Sequence, residues 1–211
     1  MISYVLLIIS ICIVSLLYLF LGVMYLCDKT KKVDKYNGFD IAKEVTSNYD
    51  DINIVVSNDI VFSEYDINRK VIRLNNNNYD GNTVNDLVIS SLLAGYSLVN
   101  NENPNYFKFN FIFKKIRSIS FILLVMMVLS YFINNIGDAK IGVILFILLL
   151  VVQYMRYLIA VSAKEKIENN IDKELYLTLE KGINRNIFFN KMSFIVSLIM
   201  VLRLVVIILG I

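Results

Sequence analysis

The sequence predicts an α+β membrane protein that is mainly α, with four transmembrane helices and a small cytoplasmic domain containing a short β-sheet. Three observations predict this class. Hydrophobic residues make up 57% of the 211 residues, the mean hydropathy is +0.61 and there is a single proline, which lies outside the range of an ordinary soluble domain. The apolar residues are concentrated in four long stretches, and a polar segment over 28–117 separates the first two.

The four apolar stretches place the predicted spans at 1–27, 118–134, 141–163 and 192–211, because about 20 apolar residues cross the hydrocarbon core. The first stretch has no basic region before it and is predicted to be a retained anchor. Lysine and arginine are concentrated in the two polar segments, 28–117 and 164–191. The positive-inside rule therefore predicts a multi-pass protein of the cell membrane, with both polar segments cytoplasmic and both termini outside.

The segment 28–117 carries twelve acidic and twelve basic side chains and so no net charge. Helical spacing of apolar residues predicts an amphipathic helix over 38–48. Runs of β-branched residues bounded by Asn and Asp predict strands. The predicted strands are 52–56 and 70–74, with a third short strand at 60–62 and a turn at 66–69.

A capped apolar helix is predicted over 81–101. Thr83 followed three residues later by Asp86 has the pattern of a capping box, and the amide pair Asn100 and Asn101 is typical of a helix end. The four asparagines over 75–78 are interpreted as a loop in an Asn-rich composition, in preference to a ligand-contacting loop.

The segment 164–191 is predicted to be a cytoplasmic amphipathic helix. Its apolar residues recur at intervals of four, namely Ile167, Ile171, Leu175 and Leu179, with charged residues between them. Packing on the membrane or on the polar domain, and docking of a partner, are both open interpretations.

The charge balance limits the classes of partner. A formal net charge of +3 is small, and the basic residues flank the predicted spans, where they would meet anionic headgroups. The lipid bilayer is therefore a predicted partner, and nucleic-acid binding is not expected.

The composition excludes chemistry that depends on histidine, since the chain contains none. Ser-His-Asp and Cys-His mechanisms and His-ligated zinc are excluded. Carboxylates remain, and Glu64 with Asp66 form a candidate residual site for a hard cation, although solvated turn residues are the favoured interpretation. Arg156 and Arg203 are predicted intramembrane charges. Arg203 is interpreted either as facing a water-filled cavity or as snorkelling to a surface, and Arg156 as marking the cytoplasmic end of the third span.

Four short segments share residues and spacing with one known family. They are Gly38-Phe39-Asp40-Ile41-Ala42, Ser63-Glu64-Tyr65-Asp66-Ile67, Val71-Ile72-Arg73-Leu74-Asn75 and Tyr79-Asp80-Gly81-Asn82-Thr83. With them the chain resembles the YugP-like bacterial integral-membrane zinc metallopeptidases. Those proteins have a Gly-x-x-x-Ala helix, an Asp-His-Tyr-Asp-Pro turn, a Val-Arg-Leu-Ser strand, and a Tyr-x-Gly-x-Ser turn before a helix with Ala-His-Glu-Val-Gly-His-Ala. The resemblance implies a zincin-like domain over 28–117.

The chain departs from the family at every chemical position of that last helix. The resemblance places the first zinc-ligating His at Leu92, the general-base Glu at Leu93 and the second His at Tyr96, while Gly95 is retained. The further acidic ligand of the family aligns with an apolar position near Val161. These departures imply a lost zinc site, and no cofactor is expected.

The resulting hypothesis is a catalytically inactive relative, a pseudoenzyme, that binds either a membrane-protein substrate or an active paralogous metallopeptidase. One alternative is a residual metal-dependent membrane peptidase that uses carboxylates. Another is a purely structural membrane protein. Because function resides in sites and not in folds, the family resemblance alone does not choose between these hypotheses.

Overall fold

The computed structural model describes residues 31–105 and 136–209. The described residues form two compact units. The first contains 31–99 and Ser162–Asn186, and the second contains 100–105, 136–161 and 187–209. Each unit is described separately below.

A three-stranded sheet lies in the first unit, with strands β1 (Asn53–Val56), β2 (Glu64–Asp66) and β3 (Val71–Leu74) in the order β1-β3-β2. β1 is parallel to β3, with Ile54 opposite Ile72, and β2 is antiparallel to β3, with Tyr65 opposite the same residue. The two longer strands were predicted. The third strand was predicted at 60–62 and instead lies at Glu64–Asp66, where a turn leads directly into β3.

Helix α1 (Gly38–Val45) begins at a capping box: the Asp40 amide donates to the Asn37 side chain, and the Asn37 amide donates to Asp40. Its apolar face, Ile41, Ala42 and Val45, is fully buried. The helix is shorter than the predicted 38–48. It ends at Thr46, whose hydroxyl donates a hydrogen bond to the Ala42 carbonyl.

The asparagine run is a short helix and not the loop that was predicted. Helix α2 (Asn76–Tyr79) begins at Asn75, whose side chain accepts a hydrogen bond from the Asn78 amide. Asn78 is itself buried and donates to the Ser63 hydroxyl at 2.9 Å. An amide side chain is favoured at a helix N-cap, which explains why the run folds in this way.

Three longer helices complete the described chain: α3 (Val84–Glu102), α4 (Ile136–Asn170) and α5 (Lys173–Leu209). The segment 164–191 is divided between α4 and α5 by a break at 171–172, so it is not one helix. Its predicted apolar face is nevertheless buried, at Ile167, Ile171, Leu175 and Leu179. In the second unit Tyr154 of α4 packs on Phe194 of α5, with ring centroids 5.3 Å apart.

The membrane part of the predicted fold class is corrected. Spans 1–27 and 118–134 lie outside the described residues, whereas 141–163 and most of 192–211 belong to α4 and α5. Among the described residues, no helix is both long enough and apolar enough to cross a membrane. The prediction of a multi-pass protein of the cell membrane, with two cytoplasmic segments and both termini outside, is wrong on this finding.

The prediction of membrane spans failed because apolar residues can pack inside a protein as well as against lipid. Counting apolar residues along the sequence assigns them all to contact with lipid, but several in the predicted third span are buried within the protein. They are Val152, Ile159, Ala160 and Ala163. Helix α4 also continues without a break into Lys164, Glu165 and Lys166. The α+β character, mainly helical with a short sheet, is what remains of the predicted class.

Candidate functional site

Helix α3 carries the positions where the metal-binding motif was expected. Its start is fixed by the predicted capping box: the Asp86 amide donates to the Thr83 hydroxyl at 3.3 Å, and the Thr83 amide donates to the Asp86 carboxylate at 3.3 Å. The amide of Val84 also donates to the Lys31 carbonyl. The helix continues through the two asparagines to Glu102, so its predicted end was slightly early.

The three motif positions lie within one and a half turns of α3. Leu92 is only 5% exposed, and Leu93 and Tyr96 are half-buried. Leu92 and Tyr96 are four residues apart and therefore share a helix face, as the two histidines of a zinc motif must. The Tyr96 hydroxyl donates a hydrogen bond to Oδ1 of Asn186 in α5 at 3.2 Å.

At Gly95, α4 lies close to α3. A Cβ atom there would lie 3.0 Å from the Ala163 carbonyl oxygen and 3.0 Å from Cγ1 of Ile167. Such distances are tighter than ordinary side-chain contacts. The glycine at this position therefore permits the close approach of α4.

A cluster of polar groups connects the first half of α3 to the two short helices before it. The Asn78 side chain donates to Ser63, the Ser90 hydroxyl contacts the Asn78 carbonyl at 3.5 Å, and the Gly38 amide donates to the Gly81 carbonyl at 3.0 Å. These contacts join α1, α2 and α3. Sequence analysis did not identify this cluster, although the N-cap preference of asparagine was an available signal.

Glu64 and Asp66 are brought together by the sheet, but around a cation of the protein itself. Arg73 of β3 lies 3.9 Å from the Glu64 carboxylate and 3.5 Å from that of Asp66. The other oxygen of Asp66 accepts from the amides of Asn68 and Arg69 at 3.0 and 3.2 Å, which holds the turn into β3. Within residues 31–105 and 136–209, no group of three or more His, Cys, Asp or Glu side chains is placed to hold a metal ion.

The remaining predicted site residues lie on the long helices. Arg156 is half-buried in α4 and takes part in an interaction there. Val161 is exposed on the same helix. Arg203 belongs to α5, and its side chain is outside what the structure describes.

One further polar group, the hydroxyl of a tyrosine, is buried in α5. The hydroxyl of Tyr176 in α5 has no hydrogen-bond partner among the described residues. Burial, followed by the negative charges of Glu168 and Glu180, raises the pKa of this phenol to about 12. The Glu168 carboxylate acts here through its charge, since its geometry falls short of a hydrogen bond.

The residues on α3 do not fit a zinc ion. Zinc is held by thiolate, imidazole or carboxylate donors, and a catalytic site needs three of them with an open fourth position. Leucine offers no donor at either of its two positions, and the Tyr96 hydroxyl is engaged with Asn186. A single phenol does not make a zinc site, so no catalytic step through a metal is derived for this chain.

The fold and the site define an α+β protein with a short sheet and a capped helix, α3, that carries Leu92, Leu93 and Tyr96 at the positions where the metal-binding motif was expected. A family model described as "putative neutral zinc metallopeptidase" matches residues 3–210. The chain therefore belongs to that family, and the resemblance drawn from its sequence is confirmed. Neither a curated protein nor a solved structure matches the chain.

Proposed function

We propose that this chain is a non-catalytic member of the neutral zinc metallopeptidase family that acts by binding an intact, zinc-containing member of the same family. The observation that supports this most directly is the set of side chains at the motif positions of α3. Leu92 packs in the core, Leu93 cannot accept a proton, and Tyr96 is hydrogen-bonded to Asn186. General-base activation of a zinc-bound water needs side chains that hold the metal and a side chain that accepts the proton. The side chains at these three positions supply neither.

The framework around those positions supports a binding role. Gly38 and Gly95 lie at close contacts that a side chain would disrupt, and the capping box of α3 is intact. A scaffold held by such contacts would keep its surface in a defined shape, which a binding role requires. The residual-peptidase alternative has no comparable support, because the carboxylates it needs are paired with Arg73.

The test combines metal content, activity and capture. The full chain, purified in mild detergent, is expected to contain no stoichiometric zinc by elemental analysis and to leave casein intact. It is expected to co-purify with an intact His-Glu-x-x-His member of the family from the same genome. Capture of a protein substrate in place of the intact member would contradict the proposed partner.

The same experiment can refute the proposal that the chain is non-catalytic. Stoichiometric tightly bound zinc together with casein cleavage would do so, provided that Tyr96→Phe abolishes the cleavage. Phenylalanine keeps the ring and removes only the hydroxyl that donates to Asn186. This variant therefore separates a catalytic use of the phenol from its packing.

A further inference from the structure

An asparagine followed by a glycine occurs once in the sequence, at Asn37 and Gly38. Such a pair is chemically labile, because glycine has no side chain to hinder its amide nitrogen. That nitrogen attacks the side-chain carbonyl carbon of the asparagine, the Cγ–Nδ2 bond breaks, and ammonia leaves with the proton of the attacking amide. Water then opens the resulting five-membered imide to give aspartate or isoaspartate. The pair is therefore a candidate site of covalent modification.

The folded chain withholds the attacking nitrogen. The Gly38 amide donates a hydrogen bond to the Gly81 carbonyl at 3.0 Å, although the first amide of a helix has no partner within its own helix. The Asn37 backbone is extended, with ψ at 176°, which places the Gly38 nitrogen trans to the Asn37 nitrogen. Closing the imide ring requires the Gly38 nitrogen to eclipse Cβ of Asn37, so the backbone must rotate before the reaction can begin.

The carbonyl carbon that would be attacked is held as well. Oδ1 of Asn37 accepts a hydrogen bond from the Asp40 amide at 2.9 Å, and the Asn37 amide donates to the Asp40 carboxylate at 3.3 Å. These two bonds are the capping box of α1. Rotating Asn37 into the reactive conformation therefore breaks the capping box together with the bond from Gly38 to Gly81.

We propose that Asn37 is a deamidation site that reacts only when the start of α1 separates from the turn at Gly81. The product matters for the fold, because an isoaspartyl link adds one carbon atom to the backbone between Cα of residue 37 and the Gly38 nitrogen. Gly38 has no room to move, since even a Cβ atom there would overlap the backbone oxygen of Asn78. The isoaspartyl chain is therefore expected to leave α1 detached. This proposal does not depend on the binding role proposed above.

The test follows one tryptic peptide, 36–43, which cleavage after Lys35 and Lys43 releases. The full chain is incubated at neutral pH, folded in one sample and in urea in another. Mass spectrometry then measures the asparaginyl, aspartyl and isoaspartyl forms of residue 37 over time. One hydrogen bond changes an opening equilibrium about fivefold, so the three bonds together predict deamidation about a hundredfold slower in the folded chain.

Two variants separate local opening from unfolding of the whole chain. Asp40→Ala removes the acceptor of the Asn37 amide and is expected to speed deamidation of the folded chain about fivefold. Tyr96→Phe removes one hydrogen bond outside this network and is expected to leave the rate unchanged. Each rate is divided by that of the same variant in urea, which cancels any direct effect on the chemistry. The comparison of the unsubstituted chain with and without urea stands even where Asp40→Ala does not fold.

The effect of the product is measured by hydrogen exchange over 36–43 after deamidation in urea and return to buffer. Asn37→Ser taken through the same steps is the control, because serine caps a helix as well as asparagine does and cannot form the imide. The control is expected to regain protection and the isoaspartyl chain to lack it.

Four outcomes would overturn the proposal. Equal rates with and without urea would show that the fold does not protect Asn37, and faster deamidation of another asparagine in urea would show that the pair is not the labile one. Equal acceleration by Asp40→Ala and Tyr96→Phe would place the reaction in the unfolded chain. An isoaspartyl chain that regains the protection of Asn37→Ser would contradict the expected detachment of α1.

Discussion

Gly38→Ala is the most demanding test of the framework that this chain shares with its family. A Cβ atom at Gly38 would lie 1.8 Å from the backbone oxygen of Asn78 and 2.6 Å from Oγ of Ser90. Ordinary van der Waals contact begins at 3.4 Å, so α1 and α2 would have to separate by about 1.6 Å in a region packed at interior density. The obstacle is backbone, which cannot rotate away as a side chain does.

The cost follows from what this separation breaks. The bond from the Gly38 amide to the Gly81 carbonyl and the bond from Asn78 to Ser63 would both be lost or stretched, at about 1 kcal/mol each. Overpacking adds about 1 to 3 kcal/mol. We therefore expect a loss of about 3 to 5 kcal/mol, and for a chain of this size a fall in Tm of about 10 °C.

Thermal unfolding followed by circular dichroism at 222 nm measures this loss, with Gly182→Ala as the matched control. A Cβ at Gly182 would meet Cγ2 of Val88 at 2.6 Å, which is the end of a side chain, so a smaller loss of about 1 kcal/mol is expected. Adding Val88→Ala should relieve that contact, as a double-mutant cycle would show. A Gly38→Ala loss no larger than that of Gly182→Ala would refute the account of α1 and α2.

Three further predictions concern α3 and its neighbours. Tyr96→Phe removes the bond to Asn186 and is expected to lower the free energy of unfolding by about 1 kcal/mol in urea titration. Thr83→Ala removes the side-chain acceptor at the start of α3 and is expected to cost about 1 kcal/mol in the same measurement. Tyr176, whose pKa is raised by burial to about 12, loses its proton in the unfolded chain near pH 10 and in the folded chain only near pH 12. Its contribution, up to about 2 to 3 kcal/mol, is therefore fully present below pH 10 and lost as the pH rises from 10 to 12, and Tyr176→Phe should flatten that part of a stability-against-pH curve.

Elements with local signals were predictable from the sequence. The amphipathic pattern of α1, the β-branched runs of β1 and β3 and the capping box of α3 are all properties of a few adjacent residues. The third strand failed because pairing with β3 decides it: Glu64 lies opposite Arg73, while the more strand-like residues Val61 and Phe62 remain exposed. Cross-strand partners outweigh intrinsic strand preference.

The site was predictable only in part, for a related reason. The family motifs located Leu92, Leu93 and Tyr96 on one helix, and the structure adds that Tyr96 meets Asn186. No local pattern in the sequence joins two residues that are ninety positions apart. The predicted spans failed similarly, because hydropathy counts residues without showing which of them pack against the rest of the chain.

Burial accounts for the side chains at two of the three motif positions of α3. At the position of Leu92, which is 5% exposed, a histidine without a metal would bury ring nitrogens that have no hydrogen-bond partner. Burying such a polar group costs more free energy than burying an apolar side chain. Leucine removes the polar group, and its burial stabilises the helix by about 1.5 to 3 kcal/mol. Tyr96 keeps a polar group because Asn186 is within reach to accept its proton. Apolar packing of Leu92 and the hydrogen bond of Tyr96 to Asn186 thus both stabilise α3 within its unit, one by burial and the other by joining it to α5.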